Sequence, residues 1–221
     1  MKKLLLAMLM ILALAALASG CTPAGSSQEN FQSSSSTEAD LIRDRYIAPA
    51  ELTAPSQEPD RVCTAEDRTL ILEDSPENQL EAQVYGWYLD LTQADFESLM
   101  TRVGEDESLR IATENEKKNF QEGLYMTEYT LHSLTTLTAD DMDSVAEYHR
   151  KALETQIREL DLQEYAVVCV DLSWKHNEAT LQQIPQLGDG RYLRYWMLGT
   201  SRGSDEFLLQ EVFWDDFIPA D

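Results

Sequence analysis

Few side chains in this 221-residue sequence are spaced for chemistry. Gly199-Thr200-Ser201-Arg202-Gly203 matches, letter by letter, the Gly-x-Ser-x-Gly nucleophile turn. That turn needs a strand before it, a helix after it and a histidine later in the chain. Here the pattern after it is a strand, and the last histidine, His176, precedes the serine. Ser201 therefore reads as a hairpin turn residue. His132, His149 and His176 fall on different elements without metal spacing. Zinc needs several such ligands converging, so no metal site is expected. His149 lies on the apolar face of a helix pattern and reads as a packed core residue. Asp140, Asp141 and Asp143 sit in a first helical turn, where carboxylates complement the macrodipole. They lack the glycine and distal glutamate of a calcium loop. Glycine-rich phosphate loops, Cys-x-x-Cys and His-Glu-x-x-His are absent from the sequence, and no cofactor is expected.

Asp171 is the most reactive placement. It lies inside a strand pattern on the same face as Val167, Cys169 and Ser173. If that face lines a cavity, Asp171 is a ligand contact or a general base with a raised pKa. The competing expectation is a partner for Arg191 or Arg194 on a neighbouring strand. Trp174, Arg194, Trp196 and Glu211 complete the candidate pocket set.

These side chains need elements to hold them. Ser75-Pro76-Glu77 reads as a helix start, followed by Leu80, Val84, Trp87, Tyr88 and Leu91 at helical spacing. Thr92 and Asp95 read as the cap of a short helix carrying Phe96, Leu99 and Met100. The stretch 105–124 is ambiguous, with Thr113 and Glu116 as a further cap and Gly123 as a stop. Alternation over Tyr125–Leu137 predicts a strand. Thr138 and Asp141 cap a helix running to about Leu160. Tyr165–Lys175, Arg191–Thr200 and Phe207–Phe217 are strands rich in aromatic and β-branched residues. With Arg202-Gly203 at the tip of the last hairpin, Leu198 faces Phe207, Trp196 faces Leu209 and Arg194 faces Glu211. Both faces of this hairpin are apolar, so each must be covered or line a cavity.

The run Tyr88-Leu89-Asp90-Leu91-Thr92-Gln93-Ala94-Asp95-Phe96-Glu97 and the strand Val212-Phe213-Trp214 resemble the nuclear-transport-factor-2-like superfamily. The resemblance covers about residues 76–218 and is one of pattern. It implies an α+β fold with N-terminal helices packed on a curved antiparallel sheet, cone-like. It also implies that any enzyme activity would use a polar pair deep in the cone.

The N-terminus carries a different signal. Lys2 and Lys3 precede an apolar run of 14 residues, Leu4 to Leu17, and then Ala18-Ser19-Gly20-Cys21. Fourteen residues are too few to cross a hydrocarbon core as a helix, which takes roughly 20. They suit a secretory signal. The small residues before a cysteine resemble the bacterial lipobox, with Ala18 where leucine is usual. Residues 1–20 are thus expected to be a lipoprotein signal peptide and Cys21 the lipidated residue. Residues 21–65, rich in serine and proline, are expected to be a disordered tether, and 66–221 an α+β globular domain. Removing residues 1–20 takes away two lysines and no acid, which leaves 15 basic against 40 acidic side chains, a formal charge of −25. Such a surface disfavours nucleic acid. Cys63 and Cys169 could pair as a disulfide, although Cys169 in Val167-Val168-Cys169-Val170 also reads as a buried free thiol.

The expected function is a non-catalytic ligand- or protein-binding domain on a lipid anchor at the extracytoplasmic face of the cell membrane. Its partners would be the membrane through Cys21 and an envelope protein or small ligand. The alternative is a cone-fold hydrolase or isomerase using Asp171 or His132.

Overall fold

The computed structural model describes residues 38–219. The signal segment 1–20 and Cys21 lie outside the described residues. The chain runs α1 (Glu38–Arg45), a 3-10 turn (Pro49–Glu51), β1 (Val62–Ala65), β2 (Arg68–Leu72), α2 (Gln79–Gln93), α3 (Phe96–Thr101) and α4 (Glu107–Gln121). It continues with β3 (Met126–Thr136), α5 (Ala139–Asp143), α6 (Glu147–Glu159), β4 (Glu164–His176), α7 (Glu178–Gln182), β5 (Gly190–Thr200) and β6 (Leu208–Phe213). The six strands form one sheet in the order β1 to β6. All neighbours are antiparallel except β2 and β3, which run parallel across the α2–α4 connection.

The helix ends follow their capping chemistry. Asn78 caps α2 by accepting from the backbone N–H groups of Leu80 and Glu81, in place of the expected Ser75. Asp95 caps α3, and Asp106 caps α4 across the ambiguous stretch. Thr138 and Asp141 form a reciprocal capping box on α5. The expected single helix from there to Leu160 is broken between Asp143 and Glu147, where the backbone N–H of Ala146 bonds the Phe217 carbonyl instead.

Alternation along the strands feeds two cores. Val168, Val170, Leu172 and Trp174 of β4 point toward α2, α3 and α4. Val167 of β4, with Tyr195 and Met197 of β5, meets Ile42 of α1 and Leu153 and Ile157 of α6. The apolar faces of the final hairpin are thus both covered.

Three expectations are corrected. The tether does not extend to Ala65. Ile42 is 3% exposed, the Tyr165 hydroxyl donates to its carbonyl at 2.8 Å, and β1 is an edge strand of the sheet. Leu41-Ile42 and Tyr46-Ile47 supply too few apolar residues for a periodic signal, yet each finds a groove. The bridge between Cys63 and Cys169 is absent, and both thiols are free. They sit on β1 and β4 with two strands between, and strand spacing near 4.8 Å puts them beyond disulfide reach. The last hairpin has another register. Ser204 N–H bonds the Ser201 carbonyl around Arg202-Gly203, as a turn there requires, but β6 begins only at Leu208. Leu198 then pairs with Leu209, and a bulge at Gln210 puts Trp196 opposite Val212 and Met197 opposite Glu211.

Candidate functional site

The cavity grows from the α2 side of the sheet. Helical spacing brings Trp87, Tyr88 and Leu91 of α2 to one side of it. Alternation brings Tyr129 of β3, Trp174 and His176 of β4, Arg194 and Trp196 of β5 and Val212 of β6 to the other. Leu109, Ala112, Glu116 and Asn119 of α4 and the loop after α7 close the sides. The cavity, open on one side, has a volume of about 610 Å³, within the size range of small-molecule sites. All four tryptophans of the chain line it: Trp87, Trp174, Trp196 and Trp214.

The rings hold one another in place. Trp87 and Trp196 pack at 4.9 Å between centroids, and Tyr88 and Tyr129 meet edge to face at 5.4 Å. Trp196 Nε1 donates to the Tyr88 hydroxyl at 3.2 Å, and Trp174 Nε1 to the Gly188 carbonyl at 2.9 Å. Burial pushes the Tyr88 phenol up to about 12, so it stays protonated.

Two charged groups reach this apolar space. Glu116 has its carboxyl pKa raised by burial, against the opposing field of His176. Arg194 is 5% exposed. Its Nη1 donates to Asp215 Oδ1 at 2.8 Å and to the Leu193 carbonyl at 2.6 Å, while Nη2 has no acceptor among the described residues. The guanidinium carbon lies 3.9 Å from the ring centre of Trp214, 5.0 Å from Trp174 and 5.3 Å from Tyr192. Burial lowers the Arg194 pKa while Asp215 opposes that shift. A guanidinium starts so high that it remains charged.

The structure thus brings together Trp174, Arg194 and Trp196 of the expected pocket set, and leaves Asp171 and Glu211 out of this cavity. Asp171 points to the opposite face and forms a two-point ion pair with Arg191, at 2.7 and 2.5 Å. Arg191 holds its carboxyl below the ordinary value, which is the reverse of a poised general base. The counter-charge of Arg194 is Asp215, not Glu211. Glu211 accepts from Gln156 Nε2 at 3.3 Å and from its neighbour's backbone.

No protein-family model, curated protein or solved structure matches this chain.

The remaining candidates of the sequence fall elsewhere. Ser201 lies in the β5–β6 turn region, as its flanking pattern implied. His149 packs against Phe213 and Phe217 and bonds Asp216 at 3.0 Å. Among the described residues, no group of three or more His, Cys, Asp or Glu side chains could hold a metal ion.

His132 has partners the sequence hid. Alternation from Leu131 puts it on the Asp171 face of the sheet, where the register shift between Leu131 and Ser133 leaves it as the extra residue of β3. There Nε2 lies 2.8 Å from Ser173 Oγ and Nδ1 lies 2.8 Å from Glu73 Oε2. The three groups come from separate elements, so no linear spacing announces them. Glu116 did leave a signal: Leu109, Ala112 and Glu116 share a helical face at i, i+3 and i+7.

Proposed function

We propose that this chain is a lipid-anchored, extracytoplasmic binding domain whose aromatic cavity takes a small, largely apolar ligand. The observation that carries the reading is the cavity itself, rimmed by interlocked rings and reached by a buried guanidinium. Large apolar cavities with a few convergent polar groups are the default binding sites of folded domains. Helices α2 to α4, placed before the strands β3 to β6 and covering one face of the sheet, support the resemblance to the cone-shaped superfamily. The anchor rests on the apolar run Leu4 to Leu17 and on Cys21. Among the described residues no helix is long and apolar enough to cross a membrane.

Two measurements test this reading. Because every tryptophan lines the cavity, a ligand entering it must change the intrinsic fluorescence, and a panel of apolar ligands that leaves it unmoved removes the binding function. Cys21→Ser should release the protein from the membrane fraction or leave it unprocessed. A cleaved variant that remains membrane-bound removes the lipid anchor.

One geometry favours a second reading, hydrolysis. Ser173, His132 and Glu73 have the nucleophile, base and orienting acid of an acyl-transfer relay in hydrogen-bonded order. Against it, backbone amides along β4 are committed to the ladders with β3 and β5, and the nearby Arg191 is committed to Asp171. A developing oxyanion would therefore find no preorganised donor. Ester turnover, or fluorophosphonate labelling lost in Ser173→Ala, would make this the correct reading.

A further inference from the structure

We infer that the cavity selects an apolar organic anion, a carboxylate or sulfonate on an aromatic or aliphatic body, that binds Arg194 Nη2 by displacing the Trp214 ring. The inference rests on the binding function proposed above and names its ligand class.

The first observation is the orphan donor. Arg194 is buried, and Nη2 is enclosed without an acceptor among the described residues. Buried guanidinium N–H groups are rarely left without one, because desolvating them uncompensated is costly. Asp215 fixes Nη1, and Asp215 is itself held by the Leu193 N–H at 3.0 Å. The guanidinium is therefore pinned in orientation, with a single edge left to donate.

The second observation is what covers that group. The Trp214 ring lies over the guanidinium at 3.9 Å, and Trp214 is itself 51% exposed. It follows the last residue of β6, and no hydrogen bond of its indole nitrogen is found among the described residues. Trp174, on the floor of the cavity, is by contrast tied to Gly188 and stacked on Tyr192 at 4.2 Å. One wall is held by a hydrogen bond and a stack, and the other is a half-exposed ring held by neither. Turning it opens the guanidinium to the cavity that both rings line.

Charge decides the ligand class, with Arg194 the fixed charge, while burial biases Glu116 on the α4 wall toward its neutral form. A cationic ligand would meet Arg194 already seated on the aromatic faces it needs. An uncharged hydrocarbon would leave Nη2 unpaired, and a neutral oxygen would supply a weaker acceptor than an anion. An anion supplies the missing acceptor in a site of low dielectric, where a charge-assisted hydrogen bond is strongest. The acidic surface slows the approach of any anion, but at 0.15 M salt screening confines that field to about 8 Å.

The experiment uses the mature chain at 0.15 M salt with two fluorescent probes of shared aromatic body, 1-anilinonaphthalene-8-sulfonate and the uncharged N-phenyl-1-naphthylamine. The expected result is preference for the sulfonate by roughly tenfold, one charge-assisted hydrogen bond. Arg194→Met should abolish that preference and keep the uncharged probe. Trp214→Ala, a change at an exposed ring, should tighten the sulfonate and widen its preference over the uncharged probe. Equal affinity of the two probes for the unaltered protein, or a Trp214→Ala variant with unchanged or weakened sulfonate binding, overturns the anion inference and leaves the cavity a binding site. Failure of both probes to bind overturns the binding function as well.

Discussion

Ile42→Ala asks whether α1 belongs to the folded domain or hangs from it. Ile42 is 3% exposed among Leu153, Ile157, Leu162, Tyr165 and Phe217. Truncating a buried isoleucine to alanine removes three methylene-sized groups and leaves a cavity, at a cost of about 2–5 kcal/mol. The site lies on an edge element that can collapse inward, which favours the lower end, about 2–3 kcal/mol. With a urea dependence of about 2 kcal/mol/M for a domain of this size, the midpoint falls by roughly 1 M or more. Tryptophan fluorescence reports it, since all four tryptophans lie on the far side of the sheet from α1. A signal there moves only if α1 and the sheet unfold together. A midpoint shift under about 0.3 M refutes the docking of α1 as part of the cooperative unit.

Three further outcomes are expected. Glu81 accepts from Asn78 Nδ2, from the Thr136 N–H and hydroxyl, and from the Glu77 N–H, all within 2.9 Å, so Glu81→Gln must aim an amide at one of these donors. A loss of about 1–3 kcal/mol in urea unfolding is expected, and a neutral result refutes the network. The Asp171 pKa is depressed by Arg191, so its contribution is complete above the ordinary carboxyl range and is lost as pH falls through the depressed value. Asp171→Asn should therefore cost at most about 1 kcal/mol at pH 7 for this partly exposed pair, and the gap from the unaltered protein should close in acid; a gap independent of pH refutes the pairing. Burial pushes the Cys169 thiol up to about 11, so at pH 8 it should react slowly with a thiol reagent while folded. On unfolding without reductant both Cys63 and Cys169 should titrate, and a missing pair of thiols would reinstate the disulfide.

Legibility in the sequence tracked the range of the interaction. The α2 face, the Asp95 cap, the Thr138 box and the three C-terminal strands rest on contacts within a few residues, and each was readable from periodicity or cap chemistry. The N-terminal elements were not, because Ile42 gains its stability from residues as distant as Leu153 and Phe217, and the β1–β2 pair from β3, the parallel neighbour of β2. The hairpin register failed at two places: a longer loop moves the partner of Leu198 from Phe207 to Leu209, and Gln210 then adds one more residue as a bulge. At the bulge the buried Gln210 side chain fills the space above Gly104, where even an added methyl group would lie 2.1 Å from it. No local rule foretells that contact. Trp174, Arg194 and Trp196 were chosen for their strands and did converge. Asp171 and Glu211 were chosen for charge, but Asp171 pairs with Arg191 on the other face of the sheet and Glu211 meets only the Gln156 amide and a backbone N–H.

The β2–β3 pairing has a consequence for the order in which the molecule can be made. β2 lies parallel to β3 across the intervening residues 73–125, and Ile42 rests against Phe217 in one core. Both ends of the described chain therefore wait for each other, and loop closure over such distances is slow. A chain emerging amino end first holds β2 without its parallel partner until β3 is made, and α1 with an incomplete core until Phe217 is made. The domain is in effect locked by its last turn, and a chain ending at Glu206 should remain sensitive to protease throughout, α1 included, where one ending at Pro219 resists it.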